Sequence, residues 1–334
     1  MKSTSLKEKA LNIIDKRGRT ALEEASREIL QNQFDGGVVS DALNYYAKEI
    51  LPRVLPLFPA LISLSCEAVG GQPEKTQSLA TAMMLITASG DIHDDIIDKS
   101  THKFGKKTLF GKYGSEVTLL AGDALLVQGM ALFQNRCDSL SREQKQAISD
   151  LITKSMFEIA KAEAIETRLW KKANVTPQEY FEVIRLKGGI AEVQCRIGGV
   201  IGGADEKSLE AIAQYGRVIG ILSIVLDEFM DTLNFSELQH RLKNELPPYP
   251  VICAFQDEAV KKQIMPLIKK GVFSKRAAQC MAEAVLGSAA VYNFRKNMKE
   301  LVENEITNNF LLKNNTRGKD LMILLQALAE SDDK

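Results

Sequence analysis

The sequence predicts an all-α fold, and three observations carry that reading. Apolar residues recur at three- and four-residue steps over long stretches. No stretch sustains alternation of period two between hairpin turns. Strong helix starts and glycine or proline breaks divide the chain. At ordinary helix lengths this gives about ten or more helices in a single domain over residues 1–334. Hydrophobic residues make up 45% of the chain and charged ones 26%, a globular balance. The 43 Lys and Arg are matched by 43 Asp and Glu, which argues against a broadly basic nucleic-acid binder.

From the N-terminus, Met1 to Lys9 contains no apolar targeting core, so a cytoplasmic location is expected. The longest apolar stretches, residues 54–66 and 218–226, are too short to span a bilayer, and no membrane span is expected. Residues 115–133 place apolar and small residues on nearly every face, the pattern of a helix buried on most sides. Residues 141–166 repeat the period with a polar face (Lys145, Lys154, Lys161) and an apolar one (Ile148, Leu151, Ile152, Ile159). Thr176-Pro177-Gln178-Glu179 is a helix start, with Thr as cap, Pro in the first position and Glu in the third. Breaks fall at Gly36-Gly37, Gly70-Gly71, Gly202-Gly203 and Pro247 to Pro250. Five scattered cysteines show no zinc or disulfide spacing and read as reduced, mostly buried thiols. His102 and His240 stand apart from any cluster and read as surface or loop residues.

The chemistry concentrates in two acidic clusters. Gly90-Asp91-Ile92-His93-Asp94-Asp95-Ile96-Ile97-Asp98 ends an apolar run. On a helix Asp94 and Asp98 share a face, with Asp91 about one turn earlier. Carboxylates this close repel, and a hard divalent cation such as Mg²⁺ is the natural counter-charge for oxygen donors. A solvated acidic helix end is the plain alternative; the flanking Ile92, Ile96 and Ile97 favour the metal. The second cluster, Asp227-Glu228-Phe229-Met230-Asp231, follows the apolar run 219–225, and Asp227 and Asp231 lie one turn apart. Two such turns can face each other across a bundle and hold a metal-bridged diphosphate.

The ordered set of motifs resembles the trans-isoprenyl diphosphate synthases, or polyprenyl synthetases. Asp94-Asp95-Ile96-Ile97-Asp98 is similar to the first aspartate-rich motif of that family, DDxxD, and His93 to the residue before it. Phe110-Gly111, Gly122-Asp123-Ala124-Leu125-Leu126 and the Tyr180 to Lys187 segment resemble its next motifs. Asp227 to Asp231 resembles its second acidic motif, and the likeness runs over about residues 50–330. The resemblance implies a helical bundle of the isoprenoid-synthase type around a central cavity, in a homodimer or a heterodimer. It implies Mg²⁺, up to three ions, on Asp94, Asp95, Asp98, Asp227 and Asp231. It also implies a catalytic role for the first three aspartates and Lys187, with Lys187 on an allylic prenyl diphosphate. Elongation would then add isopentenyl diphosphate to the allylic carbocation.

Several family positions differ. Where the family places a Lys and two Arg for isopentenyl diphosphate, this chain keeps Arg53 and has Pro52 and Leu55. The arginine pair after the first motif is Lys103-Phe104, with Lys106 and Lys107 nearby. Lys243 is kept in the segment after the second motif. Each missing charge-assisted hydrogen bond costs about 1.5–3 kcal/mol. Three readings therefore stand. One is an elongating enzyme with a phosphate pocket rebuilt from Arg53, Lys103, Lys106 and Lys107. Another is prenyl transfer to a different acceptor, or cyclisation, at the same allylic site. The last is a non-catalytic subunit of a heteromeric synthase. Ser89 and Gly90, where the family sets bulky residues to stop chain growth, are small and imply a C20 or longer chain.

Overall fold

The computed structural model describes residues 5–31, 36–137, 140–172, 174–270, 274–313 and 316–330. Among them are sixteen α-helices and one two-stranded hairpin, so the all-α expectation holds. The helices group into two compact units. The first comprises Met1–Ser149, Gln194–Glu210 and Asn315–Leu321; the second comprises Asp150–Val193, Ala211–Asn314 and Met322–Lys334.

In the first unit, α1 (Leu6–Gln31) and α2 (Val38–Tyr45) lead into a π turn at Tyr46–Ile50 and a 3-10 turn at Leu51–Arg53. Then come α3 (Leu57–Ala68), α4 (Gln77–Ile97), a hairpin of β1 (His102–Lys103) and β2 (Lys106–Lys107), and α5 (Leu109–Arg136). Helix α5 packs directly on α4 through glycine. A Cβ at Gly129 would stand 2.7 Å from Ile86 Cγ1 and 3.0 Å from the Ala82 carbonyl, so no larger residue permits this approach. Thr108 caps α5, its hydroxyl accepting the Gly111 N–H at 2.9 Å, and Gly114 breaks the helix with φ +81°. Regular helix therefore begins at Ser115, where the apolar period begins.

The remaining helices are α6 (Arg142–Trp170), α7 (Pro177–Lys187), α8 (Gly189–Gly202), α9 (Glu206–Leu233), α10 (Phe235–Asn244) and α11 (Tyr249–Ala254). They continue with α12 (Glu258–Lys270), α13 (Lys275–Leu286), α14 (Ala289–Asn308), α15 (Phe310–Lys313) and α16 (Lys319–Glu330). Helix α7 opens with the capping box read from the sequence. The Glu179 N–H donates to Thr176 Oγ1 at 3.3 Å, and the Thr176 N–H donates to Glu179 Oε2 at 3.0 Å. In the second unit Tyr249 packs against Phe294 at 4.8 Å between ring centroids, with Tyr180 and Phe181 alongside. Four of the five cysteines are buried, and Cys280 is exposed.

One expectation is corrected. By length and composition α5 and α9 are apolar enough to cross a membrane, although no uninterrupted apolar run reaches that length. Glycine and alanine between the apolar clusters raise the mean hydropathy of an 18-residue window. In α9 much of that apolar surface is core: Ile212, Tyr215, Ile219 and Leu222 are buried.

Candidate active site

The first acidic cluster sits at the C-terminal end of α4 and the turn beyond it. Asp95 is only 8% exposed, while Asp91, Asp94 and Asp98 are half-buried. Burial pushes the Asp95 carboxyl up to about 7, with Asp91 and Asp94 adding to the rise against a pull from Lys103. The hairpin supplies that lysine: Lys103 forms an ion pair with Asp91. Asp91 is thus the ion-pair partner of Lys103. Burial alone would lower the lysine, but Asp91, Asp95 and Asp94 together hold it protonated well above its usual range. Tyr46, on the π turn, is buried beside the cluster; burial raises its hydroxyl, and the charges of Asp91 and Asp95 raise it further. Nothing in the sequence pattern singled out Tyr46.

The segment Gly122-Asp123 acquires a physical reason here. A Cβ on Gly122 would lie 2.4 Å from His93 Nε2, so glycine is what admits the imidazole. His93 Nε2 also lies 3.3 Å from Asp123 Oδ1. The motif thus orients the residue that precedes Asp94.

The basic candidates of the first unit gather around Glu49. Arg53 Nε donates to the Glu49 carbonyl at 2.8 Å, and Lys106 Nζ stands 2.8 Å from Glu49 Oε2. The hydrogen bond and charge of Lys106 lower the Glu49 carboxyl, with smaller pulls from Arg53 and Lys112. Lys112 lies over the Tyr45 ring at 3.7 Å from its centroid, a cation–π contact. The Tyr45 hydroxyl donates to the Lys107 carbonyl at 2.8 Å. Lys103 instead belongs to the acidic cluster, and Lys112 takes a place that the sequence reading did not give it.

The two small residues ahead of Asp94 differ. A Cβ on Gly90 would meet nothing within 4 Å, whereas Ser89 is wholly buried and its hydroxyl has no hydrogen-bond partner among the described residues. Only Gly90 opens onto space.

The second acidic cluster has a different electrical character. Arg241 of α10, 9% exposed at its side chain, reaches back to α9. Its Nη1 donates to Asp231 Oδ2 at 2.8 Å, and its Nη2 to Glu228 Oε1 at 3.1 Å and to the Tyr180 hydroxyl at 2.7 Å. Nε lies 2.9 Å from Glu245 Oε2. Glu228 also accepts from the Tyr180 hydroxyl at 2.9 Å and from the Tyr249 N–H at 2.6 Å. Burial would lower the guanidinium, but Glu228, Tyr180, Glu245 and Asp231 hold it firmly charged. Asp227 is exposed, and Lys243 is exposed on α10. His240, expected on a plain surface or loop, borders this network at 3.1 Å from Glu245 Oε1.

Lys187 lies between two glutamates that the sequence reading passed over, at 2.8 Å from Glu163 Oε1 and 2.5 Å from Glu166 Oε2. Tyr180, Ile184 and Lys187 follow one face of α7, and Tyr180 links that face to Glu228.

The family model described as Polyprenyl synthetase matches residues 50–285. The chain belongs to the polyprenyl synthetase family. The short chain isoprenyl diphosphate synthase of Methanothermobacter thermautotrophicus is 29% identical over 181 residues, 54% of this chain and 54% of that protein. A second relative is the Arabidopsis thaliana protein named heterodimeric geranylgeranyl pyrophosphate synthase large subunit 1, chloroplastic. It is 26% identical over 244 residues, 69% of this chain and 62% of that protein. The chain thus spans about half the length of the first relative and less than two thirds of the second. Among solved structures, the geranylgeranyl pyrophosphate synthetase of Pyrococcus horikoshii superposes with a TM-score of 0.81 at 24% identity, over 97% of this chain and 98% of that one. That likeness establishes the polyprenyl synthetase fold.

The family implies magnesium, and the two clusters differ in how well they suit it. The first offers carboxylate oxygens as donors, one of them on buried Asp95, although the described residues form no group of three acidic, histidine or cysteine side chains already placed around an ion. Such a donor set suits a hard cation. The second does not fit as a three-carboxylate clasp. Both oxygens of Glu228 are taken by hydrogen bonds, and Asp231 Oδ2 is bound to Arg241. This departs from the expectation that Asp231 is a metal ligand.

Proposed function

We propose that this protein is a trans-prenyltransferase that condenses an allylic prenyl diphosphate with isopentenyl diphosphate and makes a chain of C20 or longer. The observation that carries the reading is the first cluster, four aspartates at one helix end with Lys103 paired to Asp91. Asp94, Asp95 and Asp98 would hold Mg²⁺, which would stabilise the charge that develops on departing pyrophosphate. Lys103 pairs with Asp91, and its charge also acts on Asp95 and Asp94. Lys187 stands between Glu163 and Glu166 and would supply a further contact to the allylic diphosphate. Lys243 is a second exposed contact.

For the acceptor, the group of Arg53, Lys106 and Lys112 around Glu49 favours the elongating reading over the alternatives. It rebuilds positive charge where the family's usual residues are absent, with Lys107 and Lys103 on the adjoining hairpin. Lysines provide point charge without arginine's planar fork, so binding here is electrostatic more than bidentate. We take the chain to act as one domain over residues 1–334, in the cytoplasm, as a dimer. The name of the Arabidopsis relative keeps a heteromeric partner open beside a homodimer.

The test is incubation with labelled farnesyl or geranylgeranyl diphosphate and Mg²⁺, with and without isopentenyl diphosphate. Longer products only when isopentenyl diphosphate is present support the reading. Pyrophosphate release without it points to another acceptor or to cyclisation, and activity only with a second synthase chain points to a subunit. Gly90→Phe fills open space and should shorten the product, whereas Ser89→Phe should chiefly destabilise a packed helix. Unchanged product length in a folded Gly90→Phe variant would detach Gly90 from the tunnel.

A further inference from the structure

Arg241 sits where the second acidic motif would otherwise need an added cation. Its guanidinium reaches Asp231, Glu228 and Glu245 while it is itself buried, and Tyr180 and the Tyr249 N–H complete the coordination of Glu228. A carboxylate with both oxygens hydrogen-bonded inside a unit has little left to offer an ion. Inserting a divalent cation beside a fixed guanidinium would add like-charge repulsion at short range.

We propose that Arg241 is a resident cation of the second acidic motif: it occupies the electrostatic place of a metal ion there, so Asp231 and Glu228 are positioning residues rather than metal ligands. Metal loading of this protein then depends on Asp94, Asp95 and Asp98, while Asp227 of the second motif is exposed. This rests on the proposed reading that the chain binds a metal-complexed diphosphate, and it changes how many ions that complex holds. The spacing supports a dedicated role. Arg241 follows Leu238 by three residues on the buried face of α10, a place where an unpaired charge would be expelled. Four residues later Glu245 returns to the same guanidinium.

The test is Mn²⁺ binding to the full chain with inorganic pyrophosphate, read as bound ions per chain by electron paramagnetic resonance. Asp98→Asn should weaken Mn²⁺ by more than about 10-fold or remove an ion, and Asp231→Asn should keep the wild-type number of ions. Arg241→Gln should gain Mn²⁺ affinity at Glu228 and Asp231, while Arg241→Lys, which preserves the charge, should return the count to that of wild type. If Arg241→Gln fails to fold, Asp231→Asn decides alone. Loss of an ion in Asp231→Asn overturns the role of Arg241 and leaves the prenyltransferase reading intact. Wild-type protein that takes up no Mn²⁺ with pyrophosphate overturns both.

Discussion

The two acidic motifs look alike in sequence and are balanced in opposite ways. At the end of α4 a lysine about a third exposed pairs with one aspartate of four. At the end of α9 the counter-charge is a buried arginine whose planar fork is shared among three carboxylates and a tyrosine. In the first arrangement one lysine faces several carboxylates; the second is nearly closed on itself. Similar acidic strings thus encode a partly exposed carboxylate cluster in one unit and an internal clamp in the other. The difference lies in one residue, ten positions beyond Asp231.

The largest expected effect separates the motifs by chemistry. Asp94→Ala should lower turnover of an allylic diphosphate by about 10³-fold or more, the scale of losing several kcal/mol of charge stabilisation. Asp231→Asn should cost far less, because its carboxylate serves Arg241. Equal losses in steady-state assays would erase the distinction. Stability should separate them in the reverse sense. Arg241→Met strands buried Glu228 and should destabilise the fold by about 3–5 kcal/mol in urea unfolding. Lys103→Met breaks a pair whose side chains are about a third exposed, and should cost about 1 kcal/mol or less.

Proton linkage sharpens the comparison at Asp95. Its carboxyl is raised to about 7 from an ordinary value of 3.8, so between those limits the folded chain binds more protons than the unfolded one. Stability is therefore full below about pH 4, falls as pH rises through the window, and is lowest above about pH 7. In metal-free protein, Asp95→Asn should match wild type near pH 4 and exceed it at pH 8 by up to about 4 kcal/mol. Mg²⁺ should flatten the wild-type slope. A slope of the opposite sign in thermal melts against pH would mean that Asp95 is not held in its acid form.

Much of this was legible from residues alone. Local signals at Thr176 and the glycine breaks act over a few residues, and the helices obey them, whereas the break at Gly114 was not read. That Asp94 and Asp98 share a helix face followed from their spacing; that they close the end of α4 did not. Partnerships across sequence did not. Tyr46, 45 residues before Asp91, and Glu163, 24 before Lys187, carry no motif that names their partners. Arg241 had a weak signal, a charge spaced three residues from Leu238 on a face that must be apolar. A buried ion pair is recognisable only when both members are seen together. The sequence also treated Ser89 and Gly90 as equivalent, although neighbouring helical residues point about 100° apart and so meet different surroundings.

The smallest effect concerns the hairpin that carries Lys103. Lys103 pairs with Lys106 across a two-residue turn, and both turn residues have positive φ: Phe104 at 53° and Gly105 at 72°. A hairpin this tight favours Asn or Gly in the first of these positions, and an aromatic side chain there costs about 1–2 kcal/mol. Phe104 is 49% exposed, so little burial offsets that cost. Lys99 and Phe104 are the non-glycine residues of positive φ among the described residues, and both lie just beyond Asp94 to Asp98; the second motif has none. Strain of this kind gathers where geometry serves a site. Phe104→Asn should therefore stabilise the protein by about 1 kcal/mol, a melting shift of about 2 °C in a chain of this size. If the aromatic ring only tolerates its turn, Asn raises the melting point and leaves turnover as it was. If the ring covers bound substrate, stability rises and the KM for isopentenyl diphosphate rises with it. A fall in melting temperature would show that the turn is not strained, and the contrast between the motifs would then rest on charge alone.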